Sequence, residues 1–109
     1  MQHRFCQADD ISNEEAIDSW DKAAEEFTSF FAEGEEFYHK HIINPCIVDL
    51  LGEVKGKTVL DLGCGEGHVA RSLAEAAGRN IKILGVDASE NMIRIAKEKS
   101  QDFKDCLSF

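Results

Sequence analysis

Apolar residues in the first third of the chain return every three or four positions: Ala16, Ile17, Trp20, Ala23, Ala24, Phe27, Phe30 and Phe31. That is the spacing of one helix face. It predicts a helix from residue 14, capped by Ser12 or Asn13 and ended by Gly34. A second helical piece is expected over 35–43. Asn44-Pro45 then reads as a cap followed by the first residue of a short helix that stops at Gly52. After the polar loop 53–57 the period changes. Residues 58–62 are β-rich, 63–67 carry three alternating glycines, and 68–77 return to a helical rhythm with Val69, Leu73 and Ala76 on one face. Ile81, Ile83, Leu84 and Val86 form a nearly continuous apolar run, the pattern of a strand buried on both faces. Ser89 is placed to cap a last helix carrying Met92, Ile95, Ala96 and Lys99, and 106–109 read as the beginning of another strand.

The resulting order is helices, strand, glycine turn, helix, strand, helix: a βαβ unit behind a helical segment. Residues 1–13 are polar and read as a flexible N-terminus, 14–52 as the helical segment, and 53–109 as a partial βαβ domain. A parallel pair is expected, because the crossover helix returns the chain to the same end of the sheet.

Composition narrows the function. The 109 residues include 43% hydrophobic positions, which suits a globular domain. Acidic residues outnumber basic ones 21 to 12, for a net charge of −9. Phosphate-backbone binding needs a clustered basic surface, so nucleic acid is not expected as a partner. An anionic membrane surface is disfavoured on the same ground, and no apolar run approaches the ~20 residues of a membrane span. Cys6, Cys46, Cys64 and Cys106 are scattered without a C-x-x-C pair, so reduced thiols and a cytoplasmic setting are expected. His39 and His41 have no further clustered ligands beside them and read as a solvated helix face; no metal is expected.

The chemistry lies in VLDLGCGEG, residues 59–67. Gly63 permits a sharp turn out of the strand. Gly65 lets the backbone approach a ligand with no Cβ between, and Gly67 lets the next helix start close to the strand. In α/β sheets this turn sits at the carboxyl edge, where ligands bind. A dinucleotide fingerprint needs a glycine where His68 stands. A P-loop reading of Gly56-Lys57-Thr58 needs its first glycine at Leu51 and leads into a strand, not out of one. The spacing present is Asp61-x-Gly63-x-Gly65-x-Gly67.

VLDLGCGEGHVARSLAE followed by ILGVDASENMIRIAKEK resembles the S-adenosylmethionine-binding half of class I methyltransferases. WDKAAEEF and HKHIINPCIVDLLGEVKGK resemble the N-terminal helices of small-molecule members. The resemblance implies a Rossmann-like, doubly wound parallel sheet preceded by helices. This chain would hold its first two strands and the start of a third, a truncated portion. It also implies S-adenosyl-L-methionine as cofactor and a small-molecule methyl acceptor. Gly63, Cys64, Gly65 and Gly67 form the turn along which the cofactor lies, Asp61 orients the methionine ammonium, and Asp87 accepts hydrogen bonds from the ribose hydroxyls. Ala88 and Met92 border the adenine.

Several of these residues have plainer roles as well. Asp61 is placed to brace the turn, Asp87 to lead into the Ser89 cap, and Met92 to fill the core. Cys64 reads as a small turn residue, Trp20 and Phe27 as packing residues, and His68 as exposed or capping. No catalytic base or acceptor site is identified. The alternatives are a non-catalytic cofactor-binding or partner-regulating module and, more distantly, an NAD-dependent oxidoreductase domain. The first strand also lacks a partner on one side, and an open apolar edge favours self-association.

Overall fold

The computed structural model describes residues 11–30 and 36–109. Most of the expected flexible start, the helix stop at Gly34, Phe31 and Cys6 lie outside the described residues. Helix α1 spans Asn13–Phe30. Ser12 caps it: its hydroxyl accepts from the Glu15 N–H at 3.2 Å, and its own N–H donates to the Glu15 carboxylate at 2.8 Å. This reciprocal pair satisfies two donors at the helix start.

The second helical segment does not break at Asn44-Pro45. Helix α2 (Glu36–Tyr38) runs through a π turn at His39–Ile43 directly into α3 (Asn44–Leu51). Asn44 is fully helical at φ −63° and ψ −43°, and its N–H bonds back to the His39 carbonyl. A proline ring collides with the carbonyl four residues earlier and has no N–H to donate. The π turn bonds the Asn44 N–H five residues back, and Pro45 follows it as an early residue of α3. Asn44 is therefore no cap. It is buried, and its side-chain amide donates to the Ser72 hydroxyl at 2.8 Å, tying α3 to the next helix.

Strands β1 (Thr58–Leu62), β2 (Lys82–Val86) and β3 (Leu107–Ser108) form one sheet in the order β1-β2-β3, with both pairings parallel. Helix α4 (His68–Ala76) crosses from β1 to β2, and α5 (Glu90–Lys99) with a 3₁₀ turn at Gln101–Phe103 crosses from β2 to β3. The Rossmann-like arrangement expected from the strand–glycine–helix–strand order is present, and β1 lies at the sheet's edge.

Helix α4 buries Ala70, Leu73 and Ala74, with Ala77 just beyond its end, against Val54, Ile81, Ile83, Cys106 and Leu107. The buried face is turned from the expected one: Ala76 is exposed and Val69 only half-buried. Three alanines bring the helix axis near the sheet, so close packing replaces bulky side chains. A second, smaller core joins Ala24 of α1 to Met92 and Ile95 of α5, with Phe27 beside it.

The second strand is not buried on both faces. Along β2 buried and exposed positions alternate strictly. Leu60 (56% exposed), Leu62 (74%), Leu84 (45%) and Val86 (44%) share the other face. The continuous apolar run marks a strand suited to cover on both sides; α4 covers only one.

Candidate functional site

The site is built where β1 and β2 end side by side. Leu62 pairs with Val86, so Gly63 and Asp87 leave the sheet together. The N–H groups of Gly63 and Cys64 both donate to the Val86 carbonyl, at 2.8 and 3.0 Å, folding the turn back over the end of β2. The Gly65 N–H donates to Asp87 Oδ2 at 2.8 Å, and Asp87 Oδ1 accepts from the Ser89 N–H at 2.9 Å. One carboxylate thus braces the glycine turn and the start of α5 at once. Each oxygen carries more than one lone pair, so acceptor capacity remains for a ligand.

Gly65 has φ +54°, which side chains rarely adopt. A Cβ built on it meets nothing within 4 Å. The backbone is open to an approaching molecule here. Gly85 and Gly67 serve a different purpose. A Cβ on Gly85 would stand 2.5 Å from the Phe109 ring and 3.0 Å from Cys64 Sγ, and one on Gly67 would stand 2.9 Å from the same ring. The ring of Phe109 lies against both glycines and props the turn from below.

Asp61 pairs in register with Gly85. It is half-buried, and its buried Oδ2 has no hydrogen-bond partner among the described residues. Burial, and then the neighbouring Asp87 charge, hold its carboxyl above the usual value. A buried carboxylate oxygen left in this state is costly, and a cationic hydrogen-bond donor relieves both causes together. Cys64 is buried with its thiol 3.6 Å from the Gly65 carbonyl. Burial, followed by Asp61 and Asp87, pushes it up to about 12. It is therefore a neutral turn residue, not a nucleophile.

Ser89 caps α5, its hydroxyl accepting from the Met92 N–H at 3.1 Å. Asp21 of α1 reaches the same helix end. Its Oδ1 accepts from the Ser89 hydroxyl at 2.6 Å and the Asn91 N–H at 2.9 Å, and its Oδ2 accepts from the Asn91 amide at 3.0 Å. These bonds hold the Asp21 carboxyl below its ordinary value, the Ser89 bond most of all. The N-terminal helix is thereby locked beside the Asp87 turn.

Of the residues expected to border adenine, Ala88 is exposed at the rim. Met92 is 2% exposed and packs with Ala24 and Ile95, taking the core role. Trp20 stands edge-on to Phe27 at 5.7 Å, yet is 55% exposed, so only part of its ring packs. His39 and His68 differ from expectation, whereas His41 is exposed as expected. His68 heads α4 half-buried, neither exposed nor a cap, with its ring 4.5 Å from that of His39. Burial, and then His39, hold His68 below its ordinary value. His39 therefore faces a second imidazole, while His41 lies on Phe37. No group of three or more metal-ligating side chains exists among the described residues.

Residues 53–107, which span β1, the turn and β2 and reach the start of β3, match the family described as methyltransferase domain. The chain belongs to that family. Its relatives include the demethylmenaquinone methyltransferase of Oceanobacillus iheyensis, 49% identical over 49 residues, covering 45% of this chain and 21% of the relative. The ubiquinone biosynthesis O-methyltransferase of Hydrogenovibrio crunogenus is 35% identical over 77 residues, covering 68% of this chain and 31% of that protein. Among solved structures, Haemonchus contortus phosphoethanolamine N-methyltransferase 2 in complex with S-adenosyl-L-methionine superposes with a TM-score of 0.53. It is 34% identical, covering 60% of this chain and 15% of that one. The chain thus spans 21% and 31% of the length of these two curated relatives.

Within this family frame, the residues found by pattern (Asp61, Gly63, Cys64, Gly65, Gly67, Asp87 and Ala88) converge on the β1–β2 end. Sequence reasoning passes over Asp21, Glu66, Arg71, Gly85 and Phe109. Only Gly85 carries a signal, since glycine inside a strand marks a close approach. Asp21 and Phe109 act through partners far along the chain, and Glu66 and Arg71 through each other and through Lys99 and Ser100.

Proposed function

We propose that this chain binds S-adenosyl-L-methionine across the Gly63–Gly67 turn and serves in methyl transfer to a small-molecule acceptor. The observation that carries the reading is the pair of carboxylates at the two strand ends. Asp61 has an unpartnered buried oxygen suited to the methionine ammonium, and Asp87 has spare acceptor capacity suited to the ribose diol. Between them Gly65 presents open backbone. The cofactor, when bound, supplies an electrophilic sulfonium methyl. The chain's own residues orient it: Asp61 at the ammonium, Asp87 at the ribose, and Ala88 beside the adenine. Cys64, held neutral, stays out of the chemistry.

A small-molecule acceptor is supported by the relatives, whose names specify demethylmenaquinone and ubiquinone biosynthesis. A cytoplasmic setting fits the free thiols Cys46, Cys64 and Cys106. No described helix is long and apolar enough to cross a membrane. Self-association through the open side of β1 and the uncovered face of Leu60, Leu62, Leu84 and Val86 completes the reading.

Calorimetry with S-adenosylhomocysteine and with NAD tests the cofactor. Saturable binding of the first and none of the second is expected. Preference for NAD would return the chain to the oxidoreductase reading. A methyl-transfer assay with quinone-type phenols then separates a catalyst from a binding module.

A further inference from the structure

The glycine turn is gripped from behind as well as from the ligand side. Glu66 lies between Gly65 and Gly67, and its side chain is only 5% exposed. Nη2 of Arg71 on α4 is one tine of a fork, reaching both carboxylate oxygens, 2.8 Å from Oε1 and 2.9 Å from Oε2. The same guanidinium donates through Nη1 to the Glu66 main-chain carbonyl at 2.7 Å and to the Ser100 hydroxyl at 3.2 Å. Lys99, at the end of α5, places Nζ 2.8 Å from Glu66 Oε2. Both ends of one residue are therefore fixed by one planar cation, a task that needs the guanidinium's geometry and not merely its charge. Fixing the Glu66 carbonyl and side chain fixes the two peptides on either side of it, and so the direction of the Gly65 backbone.

Helix α5 is joined to the site twice. Its start meets Asp87 through the Ser89 cap, and its end meets Glu66 through Lys99 and Arg71 through the Ser100 cap. The two attachments serve different parts of the ligand. Asp87 addresses the ribose, whereas the turn beside Asp61 addresses the amino-acid end.

We infer that Glu66 is a positioning residue which, through Arg71 and Lys99, sets the glycine turn for the amino-acid half of the cofactor. This rests on the cofactor reading above. Glu66 touches no ligand itself; it acts through the backbone of Gly65. Neutralising it leaves two cations facing an amide, so the fork opens and the turn loses its fixed direction.

The test compares two ligands that share adenosine and sulfur. S-adenosylhomocysteine carries the amino-acid group, and 5′-methylthioadenosine lacks it. Calorimetry on Glu66→Gln should show a loss of about tenfold or more for S-adenosylhomocysteine, the scale of one charged hydrogen bond. Affinity for 5′-methylthioadenosine should stay within about twofold, below the resolution of such an interaction. Arg71→Lys keeps the charge but removes the fork. It should reproduce the selective loss, and it carries the test if Glu66→Gln fails to fold by circular dichroism. Equal losses for both ligands would mean general loosening, and unchanged affinity for both would mean the cluster is irrelevant to binding. Either result overturns the inference. Failure of the unsubstituted chain to bind either ligand overturns the cofactor reading itself, and the inference with it.

Discussion

Asp87→Asn probes the brace and the ribose site together. In the folded chain each carboxylate oxygen accepts one backbone N–H, from Gly65 at 2.8 Å and Ser89 at 2.9 Å. An amide keeps one acceptor oxygen and turns N–H groups toward the second donor, so one charged bond is lost outright and the other is weakened. A hydrogen bond to a charged group contributes about 1.5–3 kcal/mol. The bonds are part-buried, so the lower end of that range applies: unfolding free energy should fall by about 1.5–2 kcal/mol. A domain with about 5–15 kcal/mol in hand survives this. The ribose hydroxyls lose a charged acceptor as well, which corresponds to roughly a 10- to 100-fold weaker complex. Urea unfolding followed by far-ultraviolet circular dichroism reads the first effect, and calorimetry with S-adenosylhomocysteine reads the second. An unchanged urea midpoint would refute the brace. A lowered midpoint with unchanged affinity would leave Asp87 as a turn residue only.

Gly65→Val places a β-branched side chain at φ +54° and in the open space over the turn; S-adenosylhomocysteine binding should be abolished in calorimetry, and normal binding would show that the glycine meets a folding need alone. Asp61 has a raised carboxyl value, so its sign is opposite to that of an ion-paired aspartate: its ionised form burdens the fold at neutral pH, and that burden lifts as pH falls through the raised value. Ligand binding needs the ionised form, so affinity should weaken as pH falls through a midpoint above 3.8, and Asp61→Asn should flatten that dependence. Leu62 and Leu84 share the uncovered sheet face, so the purified chain should sediment above monomer mass and the double change to lysine should return it toward monomer; a monomeric parent chain at micromolar concentration would contradict this.

Local sequence determined the parts that depend on near neighbours. The α1 face, the Ser12 and Ser89 caps and the strand–glycine–helix–strand order all follow from spacing within a few residues. The glycine turn and its carboxylates were legible because backbone geometry at Gly65 and acceptor chemistry at Asp61 and Asp87 need particular residue types. Tertiary structure decided the rest. Asp21 holds the start of α5 from 68 to 70 residues away, and Glu66, already paired with Arg71 five residues on, gains its second cation because Lys99 arrives from α5. Phe109 gives Gly67 and Gly85 their second purpose by lying against them. The Pro45 signal, read alone, suggested a helix start; a π turn instead carried the helix through. The apolar run of β2 specified a strand suited to burial, but not which face a helix would cover. A carboxylate or a leucine records only that it needs a partner, and the chain's return in space selects which partner it meets.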